Sequence, residues 1–183
     1  MSEITQLLAE CQGEQAGQAG ARDRLYALLY PELKRLARSH LARSAPMTLD
    51  PSAIVHDAWL RCAGSAPPGS RGQFFAYASA VMRSVIVDHV RERAADKRGG
   101  GLAAVTLSTA ALDALPAQAG ALDIDEALVA LERADPRAHR MVEMRYFGGM
   151  TMDEVAEVLG VSVPTLQRDW RRARAFLYNF LSS

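Results

Sequence analysis

The chain has 183 residues, 49% of them hydrophobic and 23% charged, with 21 basic side chains against 21 acidic ones. That length suits one domain or two small ones, and no run is long and apolar enough to read as a membrane span. A formal net charge of zero excludes a uniformly basic nucleic-acid binder, though not one whose charges are segregated.

The opening MSEITQLLAECQGEQ lacks the basic and apolar regions of a signal peptide, which predicts a cytoplasmic protein. Residues 4–8 and 25–41 are expected to be helical. In the second, Leu25, Leu28, Leu29, Leu33, Leu36 and Ala37 keep a helical period, and Pro31 marks a start or a kink. Residues 13–20, small and polar, are expected to form a loop, and residues 44–49 a connection. Pro51 opens a third helix with Ile54, Val55, Ala58, Trp59 and Cys62 inward and His56, Asp57 and Arg61 outside. Cys11 and Cys62 form no CxxC and are expected to be buried free thiols. The four histidines show no metal-ligand spacing, so no metal or cofactor is expected.

Residues 64–72, GSAPPGSRG, read as a loop. A long helix follows over 74–93, with Phe74, Tyr77, Ala78, Val81, Val85, Val87 and Val90 as its main apolar content. Phe75, Arg83, Asp88, Arg91 and Arg93 are candidates for its other faces. Aromatics at the start of a helix that ends in basic residues suit a single-strand binder. Bases can stack on the rings, and cations follow the backbone. Phe74 and Tyr77 fit a core equally well. KRGGG at 97–101 ends this unit, and residues 102–121 read as a linker. Helices are expected over 122–134 and 137–147, separated near Asp135 and Pro136.

Residues 151–177 carry the most specific pattern. Met152, Val155, Ala156 and Leu159 form one apolar face, and Thr151 with Glu154 makes a capping box. Gly160 suits a left-handed helix end, and Ser162 and Pro164 suit the start of the next helix. That helix should bury Leu166, Trp170, Ala173 and Leu177 and expose Thr165, Gln167, Arg168, Asp169, Arg171, Arg172 and Arg174. Two short helices, a glycine turn and an arginine-rich outer face predict a helix-turn-helix. The charges agree. Residues 71–98 carry six basic and three acidic side chains, and residues 161–183 carry four arginines and one aspartate. Between them, residues 125–160 carry eight acidic and four basic side chains. Two basic patches separated by acidic surface fit a protein that meets nucleic acid at two places.

Together these features resemble the extracytoplasmic-function (ECF) group of bacterial sigma-70 family RNA polymerase sigma factors. The resemblance is most specific in MTMDEVAEVLGVSVPTLQRDWRRARAFL and good in GQFFAYASAVMRSVIVDHVRERAADKR. It extends to IVHDAWLRC and LYALLYPELKRLAR, and so covers almost the whole chain. It implies an all-α fold of two small helical domains, sigma region 2 in 1–98 and a helix-turn-helix region 4 in 122–183, joined by a flexible linker over 99–121. It implies a non-catalytic factor, without a cofactor, that binds core RNA polymerase and directs promoter-specific transcription initiation. His56, Asp57 and Arg61 would lie on the helix that docks on the clamp helices of the largest polymerase subunit. The flap of the second-largest subunit would meet region 4, and the linker would thread the RNA exit path. Residues 64–73 correspond to a loop that captures a flipped −10 base. The helix after it would open and read the −10 element, with Phe74, Phe75, Arg83 and Arg91 at the DNA. Pro164, Thr165, Gln167, Arg168, Arg171 and Arg172 correspond to the −35-reading surface.

Two departures from the family pattern stand out. An acidic run usually precedes region 2.2, but here Asp50 is the one acidic residue in Asp50-Pro51-Ser52-Ala53. Thr48 and Ser52 lie in or beside the gap and are candidate phosphosites, since a phosphate would restore about −1.5 to −2 charges. Control by a Ser/Thr kinase would then stand beside control by an anti-sigma factor. Asp169 occupies a place where arginine is common, and a carboxylate there could accept from a cytosine N4 amine. The alternative function is a helix-turn-helix regulator that binds an operator without docking on polymerase. Such a regulator would bind as a dimer and leave the 74–98 helix idle.

Overall fold

The computed structural model describes residues 3–11, 15–41, 50–63, 69–96 and 121–182, and among these every regular element is a helix. The order is α1 (Glu3–Glu10), α2 (Gln15–Leu41), α3 (Pro51–Ala63), α4 (Arg71–Asp96), α5 (Ala121–Ala134), α6 (Pro136–Tyr146), α7 (Met152–Leu159) and α8 (Val163–Leu181). The all-α expectation therefore holds. Most of the expected linker, and Thr48 with it, lies outside the described residues.

α2 starts at Gln15, inside the stretch read from sequence as a loop. Poor local propensity is overridden by packing. Ala21, Leu25, Leu29, Leu33, Leu36 and Ala37 are buried, and α2 lies against both α1 and α3. Pro31 sits within α2 rather than at its start. Leu28, expected on the inner face, is 40% exposed. Cys11 is buried and Cys62 half-buried, both as free thiols, and burial pushes the Cys62 thiol up to about 11.

α4 is the axis of the molecule. Phe74, Phe75, Ala78, Val81, Met82, Val85, Ile86 and Val87 are all buried, including the adjacent pairs Phe74-Phe75 and Val81-Met82 and the run Val85-Ile86-Val87. Neighbours on a helix point about 100° apart, so one apolar stripe cannot contain them. The reason is that α4 is covered from two directions. α1 and α3 pack on it from the N-terminal half of the chain, and α5, α6 and α7 pack on it from the C-terminal half. One continuous apolar core runs through both halves.

The α6–α7 turn is pressed against α4. A Cβ on Gly148 would overlap the Ser79 hydroxyl, which itself donates to the Phe75 carbonyl at 2.5 Å. Gly149, at φ 60°, meets Leu36 of α2 in the same tight way. Only glycine combines that backbone angle with that closeness.

Candidate nucleic-acid interface

The helix-turn-helix is built as its local chemistry dictates. The Thr151 amide donates to a Glu154 carboxylate oxygen at 2.8 Å, and the Glu154 amide donates back to the Thr151 hydroxyl at 3.2 Å. Burial pulls the Glu154 carboxyl upward. The Thr151 amide and hydroxyl and the Arg71 guanidinium outweigh it and hold the group below its ordinary value. Gly160 closes α7 in the left-handed region at φ 65°, with the Val161 amide reaching back to the Ala156 carbonyl at 3.0 Å. Ser162 caps α8, and Pro164 falls in its first turn. Arg145 of α6 lies over the Trp170 ring, 5.7 Å from its centroid, and donates to the Met150 carbonyl, so α6, the turn and α8 are fastened together.

α8 then presents two different faces. Leu166, Trp170, Ala173 and Leu177 are buried, as expected. Pro164, Gln167, Arg168, Arg171 and Arg172 are exposed, and Thr165 is half-buried at the helix start. Among the described residues no ion pair engages Arg168, Arg171 or Arg172. Their charges are therefore available to phosphates.

Asp169 corrects the sequence reading. It was expected on the exposed face, but it is 5% exposed, with a carboxylate oxygen 2.7 Å from the Arg137 guanidinium at the start of α6. The contact is too poorly aligned to be a hydrogen bond and acts as a charge pair. A carboxylate used this way is not placed to read a cytosine.

A family model described as ECF sigma factor matches residues 1–183, the full length. The chain belongs to the ECF sigma factor family. Members of this family are transcription initiation factors that act with core RNA polymerase on promoter DNA. No curated protein sequence matches the chain. Among the described residues, no helix is long and apolar enough to cross a membrane.

The remaining expected contact residues of this sigma factor divide sharply. Phe74 and Phe75 are 3% and 2% exposed, packed edge to face with centroids 5.6 Å apart. They are core side chains, and in this conformation neither ring face is open to a base. Burying two aromatic rings here stabilises the core by more than their exposure to solvent would allow, which is why they are inside.

Arg83 and Arg91 are on the expected helix but already have partners. Arg83 Nε donates to Asp125 Oδ1 at 2.9 Å, and its Nη1 donates to His139 Nε2 at 2.8 Å and Glu143 Oε1 at 3.1 Å. Arg91 Nη2 donates to Asp125 Oδ2 at 3.0 Å. Burial is the main influence on His139 and lowers its pKa. The neighbouring Glu143 carboxylate opposes that shift and Arg83 reinforces it. A neutral ring leaves Nε2 free to accept from Arg83.

On α3, His56 is exposed. Asp57 accepts from His89 Nε2 at 3.1 Å, and Arg61 pairs with Asp88 at 3.0 Å and Ser84 at 2.9 Å. Ser52 lies in the first turn of α3, its amide donating to Asp50 Oδ1 at 2.9 Å. The Tyr30 hydroxyl is pulled below its ordinary value by hydrogen bonds from Ser52 and then Lys34, and the Asp50 carboxyl is held below its ordinary value first by hydrogen bonds from Ser52, with the charges of Lys34 and Arg38 adding to them. Residues 64–68 of the loop expected to capture a base lie outside the described residues.

Sequence reasoning missed Arg71, Asp125, His139 and Glu143. Arg71, at the start of α4, bridges Glu32 of α2 at 3.0 Å and Glu154 of α7 at 2.8 Å. No local pattern marks such residues, because their partners are dozens of positions away.

Proposed function

We propose that this ECF sigma factor reads a −35 element with α8 and opens a −10 element with α4, while α3 docks on core polymerase. The observation that carries this is the free arginine face of α8 on a fully capped helix-turn-helix. Pro164, Thr165 and Gln167 would meet base edges in the major groove, and Arg168, Arg171 and Arg172 would meet phosphates. The working units are residues 1–98, the linker 99–121 and residues 122–183. His56, Asp57 and Arg61 would contact the clamp helices of the largest polymerase subunit, and residues 122–183 the flap of the second-largest. Docking fixes the two DNA-binding units at promoter spacing, so the second contact becomes intramolecular. Unstacking costs a few kcal/mol per base, and capture of the flipped base offsets it. The bond-making stays with the polymerase. The factor acts in the cytoplasm.

Control belongs to a Ser/Thr kinase acting at Ser52 or Thr48, or to an anti-sigma factor. The surroundings of Ser52 support the first, since a phosphate in the first turn of α3 would lie near Lys34 and Arg38 and at a positive helix end.

Run-off transcription with core polymerase and genomic fragments tests the whole reading. Promoter-specific transcripts that vanish with Arg168→Ala/Arg172→Ala are the expected result. Operator binding as a dimer without any polymerase dependence would replace it. Ser52→Glu and Thr48→Glu should each tighten binding to core polymerase, and unchanged affinity in both removes the kinase.

A further inference from the structure

We propose that Arg137, held beside α8 by the buried Asp169, is a further phosphate contact of this factor on promoter DNA, supplied from α6. The proposal rests on the reading of α8 as the helix that meets the −35 element.

A carboxylate in the middle of such a helix repels phosphate. The fold answers that repulsion by placing a cation outside it. At about 100° per residue, Asp169 stands about 40° round α8 from Thr165 and about 60° from Arg172 on one side, and about 60° from Leu166 on the other. It thus marks the border between the buried stripe and the exposed arginine face. Arg137 comes to that border from the first turn of α6. Together with Arg168 and Arg172 it lengthens the basic strip along one flank of α8.

Three features separate this arginine from a plain staple between two helices. Asp169 keeps only 7% of its side-chain surface exposed, whereas Arg137 keeps 50%. The 2.7 Å approach is a charge contact with no N–H aimed at the carboxylate oxygen, and among the described residues no hydrogen bond takes a donor of Arg137. A guanidinium carries five N–H groups in a planar fork, so a phosphate can take a pair of them from the outer side. Finally, the first turn of a helix disfavours a cation, because the positive end of the helix dipole lies there. Asp169 offsets that cost and keeps the guanidinium at the border of the reading face instead of free in water.

The test uses the full-length factor assembled with core RNA polymerase, on a duplex fragment that yields a run-off transcript with the wild type. Affinity is measured over a range of salt concentrations. Arg137→Gln/Asp169→Asn neutralises both partners, so net charge is unchanged and no buried carboxylate is stranded. It should lower affinity about fivefold and lower the slope of log affinity against log salt by about 0.9, equally on fragments that differ in the −35 bases. Arg137→Lys keeps the charge and should keep the slope. Asp169→Asn alone adds a positive charge, yet should bind more weakly than the wild type because Arg137 is no longer held. Wild-type affinity and slope in the double variant overturn the phosphate contact. Tighter binding by Asp169→Asn overturns the positioning role of the carboxylate.

A second measurement needs no variant. Phenylglyoxal modification of the wild-type complex, with and without the fragment, is read residue by residue by mass spectrometry. DNA should protect both Arg137 and Arg168. Protection of Arg168 without Arg137 overturns the added contact and leaves the −35 reading of α8 standing. Protection of neither overturns that reading, and the added contact with it.

Discussion

Arg137, at the start of α6, places its guanidinium 2.7 Å from the carboxylate of Asp169, in the middle of α8. The aspartate is buried and the arginine half-exposed, so the two partners are not equivalent. Arg137→Ala leaves a carboxylate stranded beneath α8, whereas Asp169→Asn leaves a neutral amide and a cation that can turn to water. Arg137→Ala should cost about 1–2 kcal/mol, reduced from a fully buried pair by solvent at the arginine. Asp169→Asn should cost less. Thermal unfolding of the two variants and of the double variant measures the difference.

The exposed arginines of α8 predict a different signature. Arg168→Ala or Arg172→Ala should leave unfolding within about 0.5 kcal/mol of the wild type. Each should weaken promoter binding by the polymerase complex. A lost phosphate contact should lower the slope of log affinity against log salt by about 0.9. A loss confined to one promoter sequence with an unchanged slope would instead mark the residue as a base reader.

The cap at Thr151 acts locally. Thr151→Ala removes the acceptor for the Glu154 amide and should cost about 1 kcal/mol. Thr151→Ser should restore most of it. Chemical denaturation of the three proteins is sufficient, since the slope with denaturant should not change.

His139 makes the fold sensitive to acid. Its folded pKa is lowered, so below the ordinary value of about 6.5 the unfolded chain binds more protons than the folded one. The stability it contributes is fully present above that value and is lost as pH falls from there through the lowered folded pKa. The groups facing it are Arg83 from α4, Asp125 and Glu132 from α5, and Glu143 from α6. Unfolding followed at about pH 7.5 and about pH 5.5 should show a drop that His139→Gln removes.

What was legible in the sequence was local. The capping box, Gly160, the Ser162 cap and the buried stripe of α8 depend on residues within a turn or two of each other, and each stands where its pattern placed it. Asp169 was misread because its neighbours on α8 are charged and exposed, and the cation that draws it inward comes from α6. Phe75 was misread for a related reason. α4 has two buried faces, and a search for one apolar stripe discards the second. The adjacent pairs Phe74-Phe75, Val81-Met82 and Val85-Ile86 were the available sign that something packs on both sides. The acidic stretch between the basic patches was seen as a spacer. Its position on top of one of those patches depends on the tertiary fold.

Gly148 and Ser79 lie far apart in the chain, one in each half, with no space between them for a methyl group. A foreign C-terminal half bearing alanine or serine at that turn would jam against the native N-terminal half, however well each was folded. Recombination between duplicated copies would then produce misfitting hybrids unless both positions travelled together. The two halves are modular in their tasks and bound to each other in their descent.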